Sequence, residues 1–204
     1  MSAAMKVGFA LLALGACTGQ IGGTPVTGDD DVMAPDAAVV GPDADTTNPA
    51  VARGQLWVDA KVPYCQAPNH KHDADVDCAS TCTRPDVPAW DPYRSDCSGF
   101  VSWTWDLPAP GRTTHDFAPF VTDITAAIDA ADLVPGDAVN NDTHMMLFVA
   151  WVTPGTKATF MDEPGCSASQ PYAREFTATV TPTGQTIVVT SHGTFTAIHR
   201  TTGP

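Results

Sequence analysis

The chain has 204 residues, enough for one domain of ordinary size plus a tail, and its 23 Asp and Glu against 10 Lys and Arg give a formal net charge of −13. That balance leaves no electropositive footprint for nucleic acid and makes polyanions poor partners. The six cysteines make the redox compartment the next question, and the N-terminus bears on it.

Lys6 precedes an apolar run from Val7 to Leu14, followed by Leu14-Gly15-Ala16-Cys17. The run is too short to span a bilayer and has the proportions of a signal-peptide core, so residues 1–17 predict export. Small residues before a cysteine resemble a bacterial lipobox, in which Cys17 becomes the lipidated first residue of the mature chain and ties it to a membrane. From 18 to 52 the sequence is Gly, Pro, Ala, Thr and Asp, with Asp29-Asp30-Asp31, Asp36, Asp43 and Asp45. Almost no large apolar side chain is available there to offset ordering entropy, which predicts a disordered acidic linker that lets an anchored domain reach away from its membrane. Thr18 after the cysteine resembles lipoproteins passed to the outer membrane, so the expected location is the bacterial cell envelope, facing the periplasm or the cell surface.

The folded domain is expected over 53–204. Leu56, Trp57, Ala60 and Lys61 predict a short amphipathic helix ending before Pro63, and Tyr64 and Cys65 follow at once. Asn69 to Asp77 is polar and aperiodic; its His70, His72 and three aspartates match neither zinc nor calcium spacing, so a solvated loop and no metal are expected. Setting Cys17 and Cys97 aside leaves Cys65, Cys78, Cys82 and Cys166. In an oxidising compartment that even remainder predicts two disulfides, with all three pairings open, and leaves Cys97 free. A four-cysteine zinc site is disfavoured because Cys78-x-x-x-Cys82 lacks a matching second pair.

Cys97, Phe100, Trp103, Thr104 and Leu107 recur at helical spacing, with Ser95 or Asp96 as cap and Pro108 as stop. A thiol in the first turn faces unpaired N–H groups and the positive end of the helix dipole, which favour a thiolate. A further helix is expected from Phe117 to Ala131, with Phe120, Ile124, Ala127 and Ile128 on one side, and Leu133-Val134-Pro135-Gly136-Asp137 breaks it. His144 opens Met145 to Val152, apolar on both alternating faces and so a strand covered on both sides. Thr153 to Thr156 make a turn. Strands follow at Lys157–Asp162, Arg174–Thr181, Gln185–Thr190 and Thr194–His199. Helices first and an antiparallel meander afterwards predict an α+β fold.

Asp96-Cys97-Ser98-Gly99-Phe100-Val101, then Leu133 to Val139 around Pro-Gly-Asp, then His144 leading an apolar strand resemble the NlpC/P60 superfamily of cell-wall cysteine peptidases. The resemblance implies a papain-like fold with N-terminal helices packed on an antiparallel β-sheet, Cys97 as nucleophile and His144 as base. For the group that orients His144, a four-residue hairpin loop pairs Val152 with Lys157 and sets Glu163 on the His144 face, whereas a three-residue loop sets Asp162 there. The four-residue form is preferred because Thr153 precedes a proline, so Glu163 is expected and Asp162 held in reserve. A carboxylate in this role resembles the related CHAP amidases. By the same resemblance Tyr64 contacts the substrate peptide, and Asp96 and Ser98 hold its free amine, Asp96 doubling as helix cap. His70, His72, His115, His192 and His199 are expected on the surface or in the core. The resemblance implies a monomeric, cofactor-free peptidase cutting stem peptides of peptidoglycan between D-glutamate and the following diamino acid. The alternatives are a CHAP-like amidase or acyltransferase, and a disulfide-stabilised lipoprotein that binds cell wall without turnover.

Overall fold

A computed structural model describes residues 48–66, 84 and 86–201. The expected signal peptide with Cys17, nearly all of the linker, the Asn69–Asp77 loop with His70 and His72, and Cys78 and Cys82 lie outside the described residues.

Helix α1 spans Pro49–Ala60 and so begins inside the stretch expected to be linker. The local reason is a cap: the Asn48 side chain accepts the N–H groups of Ala50 at 2.9 Å and Val51 at 3.3 Å, and Pro49 supplies a first helical residue with no N–H to satisfy. Helix α2 spans Cys97–Thr104, capped by Asp96. Seven strands follow: β1 Thr125–Ala127, β2 Ala138–Asn140, β3 Met145–Thr153, β4 Lys157–Asp162, β5 Arg174–Thr183, β6 Thr186–Val189 and β7 Gly193–Arg200.

The sheet closes on itself. Its order is β1-β7-β2-β3-β4-β5-β6, and β6 also pairs with β7, so β2 to β7 form a six-stranded antiparallel barrel. Thr196 lies opposite both Asn140 and Thr186, and Ile198 opposite both Ala138 and Ala127. Strand β7 therefore meets β2 along one edge, and β6 then β1 along the other. The expected papain-like α+β fold, helices packed on an antiparallel sheet, is corrected by this closure: the described structure is mostly β, with two α-helices on the flank of a barrel. The pairings that close it, β2 with β7 and β6 with β7, join segments whose sequence carries no mark of the partner, and three-residue β2 is too short to show alternation.

The expected helix over Phe117–Ala131 is also absent. After a 3₁₀ turn at Thr114–Asp116, strand β1 and the start of a 3₁₀ turn at Ala130–Asp132 occupy that region. Pro119 removes a donor, and the Thr125 hydroxyl takes the Ala118 N–H at 2.9 Å, so the side chain competes with the helix ladder while β1 pairs with β7.

Two apolar cores share β3 as a wall. Val139, Met146, Phe148, Phe160, Ile187 and Phe195 fill the barrel. On the outer face Met145, Leu147, Val149 and Met161 pack against Trp57, Phe100, Val101 and Trp103 of the helices. Trp57 stacks on Trp103 with ring centroids 5.7 Å apart at 12°. This is why the β3 sequence is apolar at every position of its first half.

Helix α2 approaches the Arg94 backbone so closely at Gly99 that a Cβ there would stand 2.2 Å from the Arg94 carbonyl oxygen. Gly99→Ala must displace backbone, and we expect it to lower the urea midpoint by an amount equivalent to about 2 kcal/mol or more, measured by equilibrium unfolding.

Candidate active site

Cys97 sits at the first position of α2, buried at 8% exposure. Its turn is held by Asp96, whose Oδ1 accepts the Gly99 N–H at 2.7 Å and the Ser98 hydroxyl at 3.2 Å, while Arg94 Nη1 lies 3.4 Å from Oδ2. Burial pushes the Asp96 carboxyl up, and Arg94 with the Gly99 N–H pulls it back. Asp96 thus acts as the helix cap, and its hydrogen bond from Ser98 turns that hydroxyl toward the cap. Among the described residues Cys97 is the free cysteine, whereas Cys65 and Cys166 are disulfide-bonded.

His144 precedes β3 at the mouth of the barrel. The tight turn before it is built by Asn141, whose Oδ1 accepts the N–H groups of Thr143 at 2.9 Å and His144 at 2.8 Å, and whose Nδ2 donates to the Thr194 carbonyl at 3.1 Å. The imidazole Nε2 is 2.9 Å from Asp162 Oδ2, and the ring is also hydrogen-bonded to Cys97. With Nε2 facing Asp162, Nδ1 is the nitrogen left for the thiol. Asp162 is fully buried; its Oδ1 accepts Arg174 Nε at 2.8 Å, and Arg174 Nη2 lies 3.4 Å from Oδ2. The cross-strand pairing of Asp162 with Arg174 on β5 sets this contact.

The charges form a relay. Burial pushes His144 down, but its hydrogen bonds to Asp162 and Cys97 outweigh that and carry its pKa up to about 9. Burial likewise pushes Asp162 up, and the His144 and Arg174 contacts more than reverse it, so Asp162 stays below its ordinary value. The resulting order is Cys97 sulfur, imidazolium, carboxylate, guanidinium.

Glu163, expected to orient His144, does not do so; Asp162 has that position. The hairpin explains the correction. Thr153 pairs with Lys157, leaving a three-residue loop, and β-bulges between Phe148 and Ala150 and between Trp151 and Thr153 shift the register twice. Three loop residues and two shifts preserve the parity that puts Asp162 on the His144 face. Thr153 need not be helical for this: Pro154 and Gly155 are the central residues of a turn closed by Thr156 N–H to the Thr153 carbonyl at 3.0 Å, Gly155 has φ of 73°, and Thr153 stays in β3. Glu163 points from the other face of β4, fully buried, and neither carboxyl oxygen has a hydrogen-bond partner among the described residues. Burial, with Asp162, Asp96 and Cys97 nearby, holds its pKa well above the ordinary 4.5 against the pull of Arg84.

Tyr64 is brought beside the cysteine although far from it in sequence, because the N–H and carbonyl of Cys65 pair with the carbonyl and N–H of Ser95 at 3.3 and 3.0 Å. Its hydroxyl accepts a hydrogen bond from Gln66 at 3.1 Å; burial raises its pKa, as do Cys97, Asp96 and Glu163. The remaining described histidines lie elsewhere: His115 against Phe120, His192 stacked on Phe176, and His199 2.6 Å from buried Asp137. A cavity of about 610 Å³ beside His199, Arg53 and Trp105 touches none of Cys97, His144 and Asp162.

Three positioning residues were not singled out from sequence. Asn141 could have been found from Asn-Asp-Thr before the histidine, a turn-forming run. Arg174 shows only through the β4–β5 register. Arg84 donates to the Ser95 hydroxyl at 2.6 Å and to the Trp90 carbonyl at 3.2 Å, fixing the chain just ahead of Asp96, and nothing local in the sequence marks it.

Comparison with protein-family models, curated proteins and solved structures finds no match to this chain.

Because His144 is raised from 6.5 to about 9, its contribution to stability is full below 6.5 and is lost as pH rises through about 9. Urea unfolding between these limits should show stability falling with pH, and Asp162→Asn should bring the imidazole titration, followed by NMR, back toward 6.5.

Proposed function

We propose that the protein is an exported cysteine hydrolase that cuts an amide bond in peptidoglycan stem peptides. The observation that carries the chemistry is the chain Cys97, His144, Asp162 and Arg174, assembled from a helix start and three strand ends with the base held in a raised, cationic state. A nucleophile, a proton shuttle and a group that fixes the shuttle's tautomer are what amide cleavage requires.

The Cys97 thiolate attacks the scissile carbonyl carbon, and the carbonyl oxygen takes the negative charge. The Cys97 N–H, at the first helical position where no carbonyl one turn back claims it, is a donor for that oxyanion. His144 gives its proton to the leaving amine as the C–N bond breaks, leaving a thioester on Cys97. Water then loses a proton to His144, attacks the thioester and releases the acid, and the thiolate–imidazolium pair is restored. Asp162 stays ionised throughout, kept so by Arg174, and holds Nε2 so that Nδ1 faces sulfur.

The substrate class rests on the motif order Asp-Cys-Ser-Gly, Pro-Gly-Asp and His, which resembles NlpC/P60 peptidases, and on the bond between D-glutamate and a diamino acid that such enzymes cut. By the same resemblance Tyr64 would contact the substrate peptide, and Asp96 and Ser98 would hold its free amine. The lipobox-like N-terminus and acidic spacer support an envelope location for this proposed activity, on a membrane anchor at Cys17. A carboxylate in place of a second histidine favours one further reading, a CHAP-like amidase cutting the first amide of the stem peptide.

Digestion of purified stem peptides and intact muropeptides, with products identified by mass, tests the proposal. We expect cleavage that Cys97→Ala abolishes and that Asp162→Asn slows by roughly 10²–10⁴-fold in kcat, with a smaller change in KM. The mass of the product separates endopeptidase from amidase. Failure to cleave across pH and substrates would overturn the hydrolase reading in favour of a cell-wall-binding lipoprotein.

A further inference from the structure

The cavity beside His199, Arg53 and Trp105 has no part in the relay. Its volume of about 610 Å³ lies within the range of roughly 300–1,000 Å³ that small organic ligands occupy. Thr104 and Trp105 line it, so it sits at the C-terminal end of α2, while Cys97 opens that helix about 12 Å away at 1.5 Å per residue. The Pro135-Gly136-Asp137 turn forms one wall and is fastened from two sides. Asn48 Nδ2 donates to the Pro135 carbonyl at 2.6 Å, and Trp105 Nε1 donates to the Gly136 carbonyl at 2.7 Å. Gly136 has φ of 92°, and a Cβ there would stand 2.5 Å from Asn48 Oδ1, so this close approach of the turn to the start of α1 requires glycine. A wall held in this way needs no ordering when a ligand arrives.

Most of the charge around the cavity is already used. Arg53 is paired with Asp106 at 2.9 Å, donates Nε to the Trp103 carbonyl at 2.9 Å and lies 4.0 Å over the Trp103 ring. Buried Asp137 takes the Val134 N–H at 2.9 Å with one oxygen and lies 2.6 Å from His199 Nδ1 with the other. Arg200 differs. Its Nη1 donates to the Trp105 carbonyl, its Nε is buried without an acceptor, and it has no ion pair among the described residues. Its Nη2 has no partner among them either and is not sealed from solvent. Burial holds the Arg200 guanidinium below its usual range against the pull of Asp106, whose carboxylate is already paired with Arg53. The unspent charge in the cavity is therefore one guanidinium, with the half-exposed His199 ring beside it and apolar surface from Trp105, Val134 and Pro135 around it.

We infer that this cavity binds a small organic monocarboxylate with an apolar body, the carboxylate on Arg200 and the body against Trp105, Val134 and Pro135. A guanidinium without a counter-ion answers one negative charge, and a carboxylate matches its planar donors. The second charge of a phosphate would meet Asp106 and Asp137 instead. The site stands apart from the hydrolase reading, because it uses none of Cys97, His144 and Asp162.

The test titrates the full chain, disulfides intact, with N-acetylleucine and with its uncharged counterpart N-acetylleucinamide. Physiological salt is used, where a Debye length of about 8 Å keeps the overall charge of −13 from dominating. Binding is read by calorimetry and by the NMR signal of the Trp105 indole N–H. The acid should bind in the millimolar range or tighter and shift that signal, and the amide should bind at least about tenfold more weakly. Inorganic phosphate, with charge but no apolar body, should also bind at least about tenfold more weakly than the acid. Arg200→Gln should remove the preference for acid over amide. Val134→Asp, at a position 51% exposed and so outside the packed cores, should weaken the acid about tenfold or more. Cys97→Ala should leave binding as in wild type. Equal affinity of wild type for acid and amide overturns the inference, as do phosphate binding as tight as the acid and absence of binding, and none of these needs a folded variant. Binding that Cys97→Ala abolishes, or that Arg200→Gln and Val134→Asp both leave intact, puts the acid elsewhere and overturns it too. Failure of the peptide digestion would leave every one of these readouts unchanged.

Discussion

The Asp162 carboxylate is sealed from solvent, so its charge can be borne only by what the fold puts against it. His144 and Arg174 do this, and each arrives on a different strand: one at the entry of β3, the other at the entry of β5. The cost of a buried charge that loses a partner is several kcal/mol, so the β3–β4–β5 register is held by electrostatics at the same end where His144 meets Cys97. Position of the imidazole, charge state of the imidazole and alignment of three strands are then one constraint. The Asn141 turn adds a tie to β7, so that the histidine is also fixed from beyond β2.

Cys97 reaches this end from the other layer. Its helix is seated by aromatic packing of Trp57, Phe100 and Trp103 and by the close approach of Gly99 to the Arg94 backbone, neither of which involves the barrel lumen. Arg84 and Ser95 link the loop ahead of the helix to Pro63 and Cys65, so the tyrosine and the cysteine are carried on one framework. The glycine of the Cys-Ser-Gly run is thus accounted for by space, and the aspartate before it by capping.

Much of the site was legible from local sequence and much of the fold was not, for a common reason. Helix starts, caps and strand alternation are properties of neighbouring residues, so Cys97 at a helix start and His144 at a strand mouth could be read directly, and the strands from β3 onward lie close to where alternation places them. Closure of the barrel depends on β7 meeting both β2 and β6, which no window of sequence displays. The Phe117–Ala131 stretch misled because its apolar spacing suits a helix while Pro119 and Thr125 commit it elsewhere. Asp162 and Glu163 are adjacent carboxylates, and choosing between them needed the loop length: Thr153 pairs with Lys157 across three residues, and the two bulges in β3, each reversing the side-chain parity, cancel one another.

The bulges fall where β3 divides the two cores, and this has a consequence for how the protein can change. Cys97 is seated by the outer core, and His144 and Asp162 by the end of the inner one, with β3 between them. Drift in lumen residues such as Phe148, Phe160 and Phe195 can proceed without disturbing the helix that carries the cysteine, and drift among the tryptophans without disturbing the histidine. Only β3 must answer to both. The separation between Cys97 and the His144–Asp162 pair is set by the thickness of that shared partition, so a substitution in β3 reaches both cores at once.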